Sequence, residues 1–268
     1  MDAAHSKPTS VSLPQADIEA IVDLVADVGN PTHELGLVER RRKLAAGLVR
    51  LIEGDTFFWS FGYANPDVLG DAMPTSFVDG GWKNQQERDD FFHLLMTSKA
   101  AHKAASSLTE HIFGGNLRTI VRNNVISDAE WPTLAADFHA RGIGEFLMSM
   151  YPLGGGGFSA IGIHRRLGKP AFAERERAIV HIVFQNVDWI HRDGADLALA
   201  KKAVRFAPRE REVLLLLLRG DSQKLIASKL DLSQHTVGDY MKQIYRHFDV
   251  NSRGELLGRF IAGSNALD

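Results

Sequence analysis

The hydrophobic pattern divides the chain into a long mixed part and a short helical part at the C-terminal end. Residues 1–14 are polar and read as a disordered tail. Asp17 opens an amphipathic segment that turns Ile18, Ile21, Val22 and Val25 inward, and Asn30-Pro31 breaks it. A second helix is predicted over residues 35–53, with Leu37, Val38, Leu44, Leu48 and Leu51 on one side. Its charge run, Glu39 to Lys43, falls on a solvated face. From Thr56 to Tyr63 the period changes to two, so Phe57, Trp59, Phe61 and Tyr63 share one face of a strand. A loop through Asn65-Pro66-Asp67 follows, then a short extended piece at 74–78, a helix over 84–105 and a strand over 117–125. Ser127 and Glu130 have the spacing of a capping box and start a helix that runs to Arg141. Strands at 145–152 and 158–165 flank four glycines, Gly154 to Gly157. A long helix over 174–192 places Ile179, Ile182, Val183, Asn186 and Ile190 on one face.

The last sixty residues have a different pattern. Pro208 suits a first helical turn, and Val213, Leu214, Leu217 and Leu218 form an apolar stripe that Gly220 ends. Ser222 is placed to cap a helix over 223–230 that buries Leu225, Ile226 and Leu230. Ser233 caps a third helix, in which Val237, Met241, Ile244 and Phe248 recur at helical spacing. Only Asp231 and Leu232 separate the last two helices, so they must cross steeply, as in a helix-turn-helix. The outer face of the third helix then holds Gln234, His235, Gly238, Asp239, Lys242 and Arg246, which would enter a major groove.

Pro208-Arg209-Glu210-Arg211-Glu212-Val213-Leu214, Ile226-Ala227, Leu232-Ser233, Thr236-Val237 and Ile244-Tyr245 together strongly resemble the LuxR/FixJ-type DNA-binding domain over residues 205–262. That resemblance implies a four-helix domain, with the fourth helix at 253–261. It also implies contact with double-stranded DNA through Lys224, Ser233, Gln234, His235, Thr236, Gly238, Asp239, Lys242 and Arg246. Gly238 stands where the family commonly has lysine, and Leu225 where it has glutamate. The order of elements before this domain loosely resembles the GAF/PAS-like input domains often joined to such tails. The expected class is therefore α+β: a GAF/PAS-like sensor over 15–192, a linker over 193–204, the all-α domain over 205–262 and a tail over 263–268. Trp59 and Tyr63 also resemble the Trp-x-x-x-Tyr pair of acyl-homoserine-lactone receptors. Trp59, Phe61, Tyr63 and Trp82 thus become candidates for lining an effector pocket, with plain core packing as the alternative.

Composition narrows the function classes. Of 268 residues, 44% are apolar and none is cysteine, which excludes disulfides and thiolate metal sites and fits a reducing, cytoplasmic setting. No run approaches the length of a membrane span, and no apolar stretch near Met1 has signal-peptide length. Residues 205–268 hold ten Lys/Arg against eight Asp/Glu, a net of plus two, and residues 1–204 hold twenty-one against twenty-five, a net of minus four. So weakly cationic a domain needs a second copy for useful affinity, and a homodimer is expected. The glycine run lacks the lysine and helix of a phosphate loop. The histidines show no metal-ligand spacing, no nucleophile elbow is present, and residues 1–54 lack the opening strand of a phosphorylated receiver domain. The chain reads as non-enzymatic, with no cofactor or metal. The leading function is a one-component transcription regulator that senses a small molecule or a partner. The alternative is a sensor or antagonist with weakened DNA binding that acts through protein contacts.

Overall fold

The computed structural model describes residues 12–64, 72–98, 118–154, 157–192, 206–218 and 220–256, with 100–101, 103–104 and 106–107 as isolated helical positions. The expected linker at 193–204, the loop at 65–67 and the tail at 263–268 lie outside these residues.

Two helices, α1 (Gln15–Gly29) and α2 (Leu37–Leu51), lead into β1 (Thr56–Ala64) and β2 (Ala72–Gly80). After α3 (Gln85–Thr97) come the short β3 (Thr119–Val121), a 3-10 turn (Arg122–Asn124), α4 (Trp131–Leu134) and α5 (Ala136–His139). The hairpin β4 (Ile143–Gly154) and β5 (Gly157–Arg166) is followed by α6 (Glu174–Asn186) and α7 (Trp189–Arg192). The five strands form one antiparallel sheet in the order β2-β1-β5-β4-β3. Alternation along β1 splits its aromatic residues between two cores. Phe57, Trp59 and Phe61 pack with Ile161 and Ile163 of β5 beneath α1, α2 and α6, whereas Phe58 packs on the other side with Phe91, Phe92, Trp131 and Phe146. The domain is therefore a sheet with helices on both faces, an α+β unit joined to a separate all-α unit with its own core.

Several elements differ from the sequence expectation for identifiable reasons. In α1, Ile21 and Val28 are buried, but Ile18 and Val22 point to solvent, because α1 rests on α2 and α6 over a narrow stripe. The expected strand at 117–125 is cut to three residues by the turn at Arg122, whose guanidinium is buried in a two-pronged bond with Glu145 (3.0 Å to each carboxylate oxygen). The helix expected from Ser127 to Arg141 is two short pieces. The long C-terminal helix of the domain breaks at Val187, and the face it buries is that of Ile179, Val180, Val183 and Phe184, which leaves Ile182 and Asn186 facing outward.

The charge run of α2 is not simply solvated. Arg41 is buried over the ring of Phe61 at 4.1 Å, and its Nε donates to the Ile190 carbonyl at 2.9 Å. Arg40 collects carbonyls at the end of α1 and just beyond, including Asn30 at 3.2 Å and His33 at 2.9 Å. Both guanidiniums satisfy backbone oxygens that a helix end leaves without a partner.

Beneath α6 and α7 a polar chain crosses the apolar core. Trp59 Nε1 donates to Ser159 Oγ at 2.8 Å, Ser159 Oγ lies 2.9 Å from His191 Nδ1, and His191 Nε2 lies 2.7 Å from the Phe184 carbonyl. A carbonyl can only accept, so Nε2 carries the proton, and Nδ1 accepts from the serine hydroxyl. Burial pushes the His191 pKa down to about 4, with the nearby Arg41 charge acting in the same direction, so the ring is neutral at pH 7.

Candidate DNA-binding interface

Three helices build the C-terminal unit: α8 (Pro208–Leu218), α9 (Gln223–Leu230) and α10 (Gln234–Phe248). Gly220 ends α8 with φ +96°, a conformation that costs glycine nothing. Ser222 accepts from the Leu225 N–H at 3.3 Å and Ser233 from the Thr236 N–H at 3.0 Å, so both helix starts are capped as their sequences imply. Asp231 turns the chain in the left-handed region (φ +52°), and the Leu232 N–H returns to the Ala227 carbonyl at 2.9 Å. This two-residue reversal sets α10 across α9. Val213, Leu214, Leu217, Ile226, Leu230, Val237, Ile244 and Phe248 close a single core between the three helices. The fourth helix is described only over 253–256, where Arg253 donates to the Asp221 carbonyl at 3.2 Å.

With Val237, Ile244 and Phe248 buried, the opposite side of α10 is exposed. It carries His235, Asp239, Lys242 and Arg246, with Asp239 near the centre. Asp239 holds its neighbours: one oxygen is 3.2 Å from His235 Nδ1 and the other 3.1 Å from Lys242 Nζ. Elsewhere Lys229 is tied to Asp221 at 3.0 Å and Arg209 to Glu212 at 2.5 Å. Lys224 and Arg246 are exposed without an ion pair among the described residues. The surface therefore offers phosphates fewer free cations than its formal charge suggests. Ser233 and Thr236 are bonded to each other at 2.8 Å, and Gln234 is exposed at the start of α10.

The sequence did not point to Gln223. Its Nε2 passes over Gly238 and donates to the Gln234 carbonyl at 2.6 Å, locking the start of α9 to the start of α10. A Cβ at position 238 would come within 2.9 Å of that nitrogen, so the glycine provides the space for the lock. Gly238→Ala is therefore expected to be nearly neutral, because about 1 kcal/mol of helix propensity offsets about 0.5–1.5 kcal/mol from the displaced bond. In a Gln223→Ala background the same change is expected to stabilise by the full ~1 kcal/mol. Thermal unfolding of the four variants measures the difference, and equal increments in both backgrounds would refute the lock.

Three of the four candidate pocket residues fall on two sides of the sheet. Trp59 and Phe61 lie in the tightly filled core under α2 and α6, where Trp59 rests against Phe184 at 5.1 Å between ring centres. Trp82 lies across the sheet against Phe91 at 4.9 Å, its Nε1 donating to Asp79 at 2.7 Å. The side chain of Tyr63 is outside the described residues. No group of metal-ligating side chains occurs among the described residues, and no helix there is long and apolar enough to cross a membrane.

Three helices of these lengths, a tight reversal and an exposed polar face on the third define a DNA-binding helix-turn-helix. Residues 204–259 match the family of bacterial regulatory proteins, luxR family, and this part of the chain is a LuxR-family domain. Among solved structures, the chain is similar to SdiA of Escherichia coli at 10% identity and a TM-score of 0.37, with 94% of this chain and 99% of that chain covered. It is also similar to SdiA in complex with octanoyl-rac-glycerol, at 12% identity and a TM-score of 0.38, covering 95% and 97%. No curated protein gives a significant match.

Proposed function

We propose that this protein is a one-component transcription regulator in which the sheet domain receives a signal and a pair of helix-turn-helix domains reads DNA as a homodimer. The observation that carries this reading is the exposed polar face of α10 in a LuxR-family domain. Dimerisation follows from the weak charge of one copy, since two α10 helices on half-sites a helical turn apart double the phosphate contacts.

For the signal, the α3 side of the sheet is the better candidate. There Ser60, Ala160 and Gly162 form a row of small residues between Phe58 and Met150, and beside them stands His164. Its Nδ1 is buried with no partner among the described residues, and burial pushes its pKa down to about 4. A neutral imidazole with an unused nitrogen beside a small-residue row suits an amphipathic molecule with one polar group.

Mobility shift of the full chain on duplex DNA at low and moderate salt tests the DNA reading. Binding is expected, and Lys242→Ala is expected to weaken it by roughly 1–3 kcal/mol if Lys242 reaches a base edge. The antagonist reading draws on the same geometry, because Asp239 neutralises Lys242, and absence of any shift at low salt would favour it.

A further inference from the structure

We infer that Asp239 reads a base, accepting a hydrogen bond from the exocyclic amino group of a cytosine in the major groove; this rests on the DNA-binding reading above. Asp239 is at the centre of the α10 face, opposite the buried line of Val237, Ile244 and Phe248, and within the first two turns that approach base edges in a helix-turn-helix. A carboxylate there is repelled by the phosphates it passes, so it adds to binding only where a donor in the groove meets it. His235 one turn before it and Lys242 one turn after it both lean toward it, at 3.2 and 3.1 Å. These contacts fix the side chain on the outer face and leave each carboxylate oxygen with capacity for another donor. They also divert two potential phosphate ligands, which lowers nonspecific affinity.

The chemistry of the groove selects the base. Guanine presents two acceptors and thymine an acceptor and a methyl, and a carboxylate is repelled by these acceptors. Adenine offers one amino group beside the N7 acceptor, and cytosine offers its N4 amino group with no acceptor alongside in the groove. Asp239 therefore rewards cytosine and penalises guanine and thymine at the same position, which gives specificity through repulsion as well as attraction. Position 238 is a glycine with Gln223 folded over it and carries no cation, so the face recognises sequence with less help from charge.

Selection from a randomised duplex library with the full chain, in parallel for wild type, Asp239→Ala and Asp239→Asn, tests the assignment, with circular dichroism confirming that all three fold. The wild type is expected to enrich sites with one fixed cytosine in each half-site. Asp239→Ala is expected to lose about 5- to 150-fold of discrimination at that position alone, the fold-change of one base-edge contact. It is also expected to bind a scrambled duplex more tightly, with a steeper salt dependence, because Lys242 is released. Asp239→Asn is expected to move the preference toward adenine, which the amide pairs in two places. An Asp239→Ala selection that returns the wild-type motif with an unchanged salt slope overturns the assignment while leaving the DNA reading intact. A wild type that enriches no sequence overturns both.

Discussion

Trp59→Ala is expected to cost about 3–5 kcal/mol, the range for removing a large aromatic from a packed core. Trp59 is fully buried, stacked beside Phe61 at 6.1 Å and tilted against Phe184 at 5.1 Å, and its indole N–H is the first donor of the chain that ends on the Phe184 carbonyl. Substitution removes the ring contacts and leaves Ser159 without its donor in a site that water does not reach. For a domain of this length the melting temperature is expected to fall by roughly 10 °C. Trp59→Phe keeps most of the volume and loses only the hydrogen bond, so it is expected to cost about 1–2 kcal/mol. Chemical denaturation of the full chain, followed by tryptophan fluorescence and circular dichroism, separates the two. A loss below about 1 kcal/mol for Trp59→Ala would mean that the ring borders open space, as a pocket residue does, and would favour the effector reading for the α2 side of the sheet.

Trp59 also marks where the sequence was legible and where it was not. Period-two alternation from Phe57 to Phe61 correctly placed three rings on one face, because side-chain direction along a strand is set by backbone geometry. Nothing local told which element would cover that face, and Trp82 therefore looked like a companion although it packs across the sheet. The helix-turn-helix was largely readable, since its caps, reversal and core spacing are local in sequence, but Leu225, expected inside, is exposed because α9 turns Ile226, Ala227 and Leu230 to the core instead. The charge run of α2 was misjudged because Arg41 finds its partners at Phe61 and at Ile190, contacts of long sequence separation. The same reason hid the break at Val187, where Ile182 and Asn186 fit a helical stripe that the fold turns outward. Gln223 was overlooked because a glycine inside a helix reads as a loss of propensity, and only the crossing of α9 and α10 shows what fills its space.

The second large effect is a loss of stability on mild acidification. The His191 pKa is held near 4 in the fold, chiefly by burial, against about 6.5 in an unfolded chain. Between those values the unfolded state binds more protons than the folded one, so stability falls as pH falls. The contribution is complete above pH 6.5 and is lost progressively toward pH 4. From pH 6.5 to pH 5 this amounts to about 2 kcal/mol for a single such group. Protonation has a direct structural meaning: Nδ1 would become a donor facing Ser159, whose hydroxyl would have to turn away, with the Arg41 charge close by. His164, driven to about 4 by burial, and His181, lowered chiefly by burial beside Thr119, act with the same sign. The carboxylates that ion pairs hold low, such as Glu130 at about 2 beside Lys103 and Ser127, titrate below this window and leave it to the histidines. His191→Gln can keep a donor toward the Phe184 carbonyl and an acceptor toward Ser159 while removing the titration. Denaturation midpoints at pH 7, 6, 5.5 and 5 are expected to fall steeply for the wild type and less steeply for His191→Gln, with the remaining slope assigned to His164 and His181. Parallel curves for the two proteins would show that His191 is not the group being protonated, and that the Trp59–Ser159–His191 chain does not depend on a neutral ring.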